Sequence, residues 1–249
     1  MQFDVPLYGR ECTLAVTLQG ENNKDLRLVV EDAQHPETMF TNRTCNVNGT
    51  KTYYVRIPLA PDVASVQVLP DDGRDSGYDV MDIQILPLEN NLKHAHFDQK
   101  HVRMFVNFAE EFSYTAGKLE TEQKYHSNDE MFTILYVNQI TEDGRVEKTP
   151  ARISQSSGLI EVSKADFLRY TIPMRMAILL HEFSHYYLND NMEDEIEADK
   201  NSLEIYMALG YPRIDAYNVF LDVFENSPSE LNMDRYKALN QLFRTEYNG

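Results

Sequence analysis

Two kinds of hydrophobic periodicity divide the chain near residue 95. Before that point, short runs rich in Val, Ile, Leu and Tyr alternate apolar with polar residues, as half-buried β-strands do. The predicted strands cover residues 12–19, 26–31, 52–59, 64–69 and 79–86. Turn-forming residues at 20–23, 48–49 and 71–73 separate them. The pattern predicts an all-β, sandwich-like domain over residues 1–95.

After residue 95 the apolar spacing becomes helical. A first helix is predicted over 97–116, and its apolar face consists of Val102, Phe105, Val106, Ala109 and Phe112. Further helices are predicted over 173–189, 193–209, 212–225 and 229–246. A strand at 131–138 and two extended pieces at 151–154 and 159–163 precede them. We therefore expect an α+β protein whose second domain, residues 96–249, is mainly helical.

Composition and charge exclude several classes of protein. The chain has 249 residues, 42% of them hydrophobic and 25% charged, which is ordinary globular usage rather than that of a disordered or fibrous chain. Lys and Arg number 23 against 40 Asp and Glu, so the net charge is −17. This charge disfavours nonspecific binding to nucleic acid or to an anionic membrane, and neither partner is expected.

The amino-terminal residues and the cysteines bear on the cellular compartment. No basic segment followed by an apolar one opens the chain, and no apolar run approaches the roughly 20 residues that cross a bilayer. Cys12 and Cys45 are expected to be reduced thiols, with a single disulfide as the alternative. We expect a cytoplasmic protein, or one associated with a virion or a larger complex. His35, His94 and His96 are scattered and are expected at the surface.

The candidate chemistry lies on the predicted helix at 173–189, which contains the pattern HExxH. His181 and His185 are four residues apart, so their imidazoles lie on one helix face and can bind one metal ion. Glu182 is rotated by about 100° from His181, which suits a general base acting on a water bound to the metal. Zinc with three protein ligands keeps an open position and lowers the pKa of such a water. Because the helix is apolar over most of its surface, two buried histidines without a metal would be costly.

A third ligand is expected from the next helix. Its start is rich in carboxylates, and Glu195 and Asp199 share one face at a spacing of four residues. One of the two could bind zinc while the other holds a ligating imidazole by its second nitrogen. Asn191 stands where the metzincin pattern has a third histidine, so a third histidine ligand at that spacing is excluded.

The run from Glu195 to Asp199, ExxAD, resembles the glutamate helix of gluzincin metallopeptidases. The most similar group contains the CAAX-prenyl endopeptidases, the HtpX heat-shock protease and the soluble minigluzincins. Residues 151–168 resemble the strand-turn-strand of this group, residues 208–212 its turn, and residues 233–239 its last helix. The resemblance covers about residues 95–245 and implies a zincin-like metallopeptidase domain.

The resemblance also implies the roles of individual residues. His181, His185 and Glu195 would bind Zn²⁺, Glu182 would be the catalytic base and acid, and Asp199 would hold a ligating histidine. A peptide or protein substrate would pair with one strand of the domain through main-chain hydrogen bonds. The strand expected to do so comprises Leu159, Ile160, Glu161 and Val162. The function implied is zinc-dependent endopeptidase activity.

The chain departs from the group in three ways, and the last two, the β domain and the missing histidine, favour a second hypothesis. Only nine residues separate His185 from Glu195, a β domain replaces the membrane helices, and residues 231–234 lack the histidine that would stabilise the oxyanion. Tyr170, Tyr211 and Arg235 are the candidates to replace that histidine. The alternative is a non-catalytic zincin scaffold, an assembly component of a larger, phage-like complex. The β domain would then be the surface for a protein partner.

Overall fold

The protein forms two compact units, Met1–Asn90 and Asn91–Gly249. A computed structural model describes residues 1–73, 76–88, 98–226 and 229–245. The first unit is an antiparallel β-sheet, and the second combines a small sheet with helices, so the mixed α and β class predicted from the sequence is confirmed. His35 is partly exposed beside Glu37, whereas His94 and His96 lie outside the described residues.

The strands of the first unit form one sheet, which corrects the predicted sandwich-like arrangement. They are β1 (Gln2–Pro6), β2 (Cys12–Asp32), β3 (Met39–Ile57), β4 (Val63–Pro70) and β5 (Tyr78–Leu86). The long β2 pairs with β3 along one edge. Along its other edge, its first half pairs with β5 and its second half with β4, while β1 adds to β4. The short β1 was missed by the sequence analysis.

The predicted turns at residues 20–23 and 48–49 lie opposite each other and together form one β-bulge between β2 and β3. Gly20 pairs with Gly49, and the register shifts between Gly20 and Lys24, so both strands continue where chain reversals were predicted. Gly20 allows this close approach, because a Cβ there would lie 2.8 Å from the carbonyl oxygen of Val47. The predicted strands 12–19 and 26–31 are therefore one long strand, β2, and β3 extends the predicted strand 52–59 back to Met39. Cys12 and Cys45 lie buried in this sheet as free thiols.

The second unit has six helices and six strands among the described residues. The strands are β6 (Gln123–His126), β7 (Thr133–Val137), β8 (Thr141–Glu142), β9 (Arg145–Val146), β10 (Ala151–Ile153) and β11 (Ile160–Ser163). The helices are α1 (Lys100–Thr115), α2 (Lys164–Phe167), α3 (Ile172–Tyr187), α4 (Glu195–Ala208), α5 (Arg213–Asn226) and α6 (Glu230–Thr245). Within the described part of the chain, no helix combines the length and the apolarity that crossing a bilayer requires.

The strand order of the second unit corrects the predicted substrate strand. The sheet runs β10-β11-β7-β6, so β11 is antiparallel to β10 on one side and parallel to β7 on the other. Leu159 precedes β11, and the backbones of Ile160, Glu161 and Val162 are already paired with both neighbours. A substrate strand therefore cannot pair with the backbone of these residues. On the β11 side of the sheet, the edge strand is β10.

An aromatic cluster fixes the rotation of α3. Phe183 stacks on Phe105 of α1 with ring centroids 4.2 Å apart and on Tyr187 at 4.9 Å, and its edge meets Phe132. Phe183 lies two residues from both His181 and His185, which is roughly half a helical turn away. Because Phe183 points into the core, the two histidines face the opposite side of α3.

A buried arginine ties the start of α3 to its surroundings. Arg175 has no exposed surface, and it donates hydrogen bonds to the carbonyl oxygens of Ser113 (2.9 Å), Phe167 (3.2 Å) and Leu168 (3.3 Å). Its planar guanidinium reaches all three acceptors at once, which an ammonium on a flexible stem cannot do.

We therefore expect Arg175→Lys to lower the free energy of unfolding by about 3 kcal/mol, because it leaves buried carbonyls without donors. Urea denaturation followed by circular dichroism measures the change. Arg169→Lys, at a side chain that is 64% exposed, is the matched control and should change stability little. Equal losses in the two variants would contradict the role assigned to Arg175.

Candidate metal centre

Helix α3 places the two histidines of HExxH one turn apart with their rings turned towards each other. The Nε2 atoms of His181 and His185 are 3.0 Å apart, and the ring planes are at 89°. The side chains are 12% and 8% exposed, respectively. The two lone-pair positions thus converge on one point in a largely desolvated site.

A capped helix start brings a carboxylate to the same point. The side chain of Asp194 accepts hydrogen bonds from the backbone N–H of Ile196 and of Glu197, both at 3.0 Å, so α4 begins at Glu195. Oε2 of Glu195 is 3.3 Å from Nε2 of His181, and Oε1 is 3.6 Å from Nε2 of His185. The ligand atoms of this group all lie within 4.8 Å of one another.

The short connection between α3 and α4 also holds one of the histidines. Nδ1 of His185 donates to the carbonyl oxygen of Met192 at 2.7 Å, which leaves Nε2 unprotonated in the neutral ring. Asn189 in turn donates to the carbonyl oxygen of Asp194 at 2.8 Å and accepts from Asn201 at 3.0 Å. The nine-residue connection is thus a tightly bonded turn that sets the orientation and tautomer of His185.

Asp199 and Arg235 support the centre from the other side. Oδ1 of Asp199 lies 2.9 Å from Nδ1 of His181. Arg235 on α6 donates to both oxygens of Asp199 at 2.8 Å, and its Nη1 lies 2.9 Å from Oε2 of Glu195. The structure therefore brings all the metal-site residues expected from the sequence together. It also adds a guanidinium that bridges their two carboxylates, a role that the sequence did not reveal.

The carboxylates favour positive charge on His181. Burial lowers the pKa of the His181 imidazole, but Asp199 and Glu195 outweigh burial and raise that pKa to about 10. Burial raises the pKa of the Glu195 carboxyl, but the two histidines outweigh it and hold that pKa well below its usual range. The surroundings of His181 thus stabilise positive charge at this point.

The donor set fits a divalent metal ion. Two imidazole nitrogens and a carboxylate are ligands that zinc accepts in sites with an open position. With both imidazoles neutral, the carboxylates of Glu195 and Asp199 share one guanidinium, that of Arg235, so this group of side chains has a negative charge in excess. A bound cation would offset that charge. His181 and His185 are also held through their second ring nitrogens, as histidine ligands commonly are.

A cavity of about 300 Å³ opens directly onto this centre. Glu182 lines it beside the histidines, and burial raises the pKa of its carboxyl, which favours proton uptake. An apolar part of the lining comes from α5, namely Val219, Phe220 and Val223, and another part comes from β10. The cavity therefore has space for a substrate next to a candidate base.

Only one of the three candidate oxyanion residues lies at the cavity. Tyr170 donates its hydroxyl proton to Asp222, and Tyr211 donates to Glu110 at 2.9 Å, and neither lines the cavity. Arg235 does line it. The sequence signal that pointed to Arg235 was the resemblance of residues 233–239 to the last helix of the gluzincin group.

Comparisons with known proteins do not assign a family to this chain. Neither protein-family models nor curated proteins match it. A solved structure, a functionally unknown conserved protein from Bacillus anthracis str. Ames, is similar with 12% identity and a TM-score of 0.27. The match covers 96% of this chain and 59% of that one, so the present chain spans little more than half of that protein. A TM-score this low carries no argument about fold or function.

Proposed function

We propose that this chain is a zinc-dependent endopeptidase with a zincin-like catalytic unit. The observation that carries the proposal is the convergence of His181, His185 and Glu195 on one point, with Glu182 beside it at an open cavity. When bound there, zinc would lower the pKa of a water molecule and polarise the scissile carbonyl. The resemblance to gluzincins in HExxH and ExxAD supports the same assignment.

The side chains of the protein would perform the proton transfers and the charge stabilisation. Glu182 would take a proton from the attacking water and pass it to the leaving amine, so no covalent intermediate forms. Two arginines line the cavity, Arg152 and Arg235, and Arg152 pairs with Glu161 at 2.7 Å. Arg235, which adjoins the metal-site carboxylates, could stabilise negative charge that develops on the substrate carbonyl. Its bonds to Glu195 and Asp199 hold it in place before substrate binds.

The edge strand β10 offers a main-chain binding site for an extended peptide. Ser154 N donates to Leu159 O and Ser163 N to Pro150 O, so the alternate residue between them, Arg152, also directs its backbone towards β11. The backbone of Ile153 therefore faces away from β11, at the cavity. A substrate strand would pair here, one strand further out than the sequence predicted.

We expect Ile153→Pro to lower kcat/KM for peptides by at least about fivefold, because it removes one outward N–H and a main-chain hydrogen bond contributes about 1 kcal/mol or more. The pairing with β11 is preserved, since a proline is tolerated on an edge strand. Ile153→Ala keeps the N–H and is the matched control for the lost side chain. Peptidase kinetics and zinc content measured on both variants separate substrate binding from metal loss. Equal kinetics would remove β10 as the substrate strand.

The function itself is tested by incubating the zinc-loaded protein with a library of proteome-derived peptides and sequencing the new termini by mass spectrometry. We expect cleavage that disappears both on chelation and in Glu182→Gln. If the protein binds zinc stoichiometrically but cleaves no peptide, the non-catalytic scaffold is favoured instead. A protein that binds no divalent metal contradicts both hypotheses.

A further inference from the structure

One edge of the β-sheet in the first unit is only partly covered by a further strand. Strands β4 and β5 lie end to end along the same edge of β2, because β4 pairs with its second half and β5 with its first half. Strand β1 covers β4 from Val63 to Gln67. Among the described residues no strand pairs with the outer edge of β5, so a further strand is present only beside β4.

The apolar core reaches the solvent at this uncovered strand. Ile83 and Ile85 pair with Val16 and Leu14, which are fully buried, yet Ile85 is 52% exposed. Met81 on the same strand is 56% exposed. An edge strand also directs every second N–H and C=O away from its only neighbour. From Asp79 to Leu86, strand β5 thus combines outward-directed backbone groups, with which no strand of the described residues pairs, and exposed apolar side chains. These are the two features that an added strand would cover.

The opposite face of β5 is acidic. Asp79 and Asp82 pair with Gln19 and Thr17 of β2 and are exposed, and Gln84 continues the row. Because of the register shift between Thr17 and Leu18, both aspartates lie on the same face despite their odd spacing. The regular run from Asp82 to Ile85 therefore presents acidic and polar groups on one face and apolar groups on the other.

We propose that β5 binds an extended segment of a protein partner in which apolar and basic residues alternate. Its apolar residues would cover Ile83 and Ile85, and its basic residues would pair across the strands with Asp82 and Asp79. A second copy of this chain is a poor occupant, since it would add two further carboxylates to the same row and a second net charge of −17. Strand β3, at the other edge, exposes mainly polar residues such as Thr44, Asn46 and Thr52.

The probe is a capped, fluorescent heptapeptide that alternates lysine with isoleucine, Lys-Ile-Lys-Ile-Lys-Ile-Lys, titrated with the full chain at 0.15 M salt. We expect saturable binding and slowed amide hydrogen exchange over Tyr78–Leu86. The double variant Asp79→Lys/Asp82→Lys should weaken binding by at least about tenfold, because two cross-strand ion pairs become repulsive. Ile85→Asn should also weaken it, whereas a peptide with glutamate in place of lysine should not bind.

Nonspecific attraction to an acidic protein is controlled by a second double variant, Asp4→Lys/Asp62→Lys. Both aspartates are exposed in the same unit, and the change in net charge is the same as in the first double variant. The proposal is overturned if the two double variants weaken binding equally, or if protection appears outside β5. A concentration-dependent dimer in sedimentation, dissociated by Ile85→Asn, would overturn it in favour of pairing between two copies.

Discussion

Glu182→Gln is expected to lower peptide hydrolysis by between about 10²- and 10⁴-fold while zinc content and stability stay unchanged. Glutamine has nearly the same shape as glutamate but cannot take a proton from water at neutral pH. Glu182 lines the cavity next to His181 and His185, yet it does not belong to the group of three that converges on one point. Its loss should therefore affect proton transfer and not metal binding.

The measurement combines kcat and KM on a cleaved peptide with elemental analysis of the same preparation. Glu193→Gln, an exposed glutamate in the connection between α3 and α4, is the matched control and should retain full activity. Full cleavage by a clean preparation of Glu182→Gln, free of wild-type enzyme, would exclude this residue as the base. Loss of zinc in Glu182→Gln would instead place it among the ligands.

Local geometry explains which parts of the site the sequence could predict. The spacing of His181 and His185 needs only the helical repeat, and the apolar residues around them already defined α3 to within two residues at each end. Residue spacing alone narrowed the third ligand to Glu195 or Asp199, which share a helix face, and the resemblance to gluzincins assigned it to Glu195. The geometry behind that choice depends on the rotation of α4 against α3, which spacing does not give. In the structure Glu195 reaches both Nε2 atoms, and Asp199 reaches Nδ1 of His181.

Long-range pairing explains what the sequence missed. The extended segments near residues 151–154 and 159–163 were predicted, but nothing in either segment specifies which one lies at the edge of the sheet. That order depends on the parallel pairing of β11 with β7, more than 20 residues away in the chain. In the first unit, the residues at 20–23 and 48–49 have turn composition, but they face each other across two strands and form a bulge. A single sequence cannot separate these two uses of glycine and asparagine.

The network around Arg235 links the supporting residues to the ligands. This guanidinium contacts Glu195, which lies near Nε2 of both histidines. It also contacts Asp199, which lies near Nδ1 of His181. Its pKa is raised, because those carboxylates outweigh the effect of burial, so it stays charged at every physiological pH. The network holds Glu195 and Asp199 in position without a metal, which lowers the conformational cost of metal binding.

The second large effect is expected from the third ligand. Glu195→Ala should weaken zinc binding by at least about 100-fold, because three ligands share a binding free energy on the order of 10 kcal/mol and about a third of it is lost. It also leaves Arg235 close to the histidines without the charge of Glu195, so the site becomes less negative. Competition with a chromophoric chelator measures the change in Kd.

Glu193→Ala removes an exposed carboxylate two residues earlier and should leave the Kd for zinc unchanged. Asp199→Asn tests the supporting position and should weaken binding by less than Glu195→Ala, between about 10- and 100-fold, because Asp199 is not a ligand and acts through His181 and Arg235. If Asp199→Asn has the larger effect, the roles of the two carboxylates are exchanged. If neither variant changes zinc affinity, the metal binds elsewhere. In that case, ion pairs of Glu195 with Arg235, His181 and His185 are enough to explain why these side chains converge.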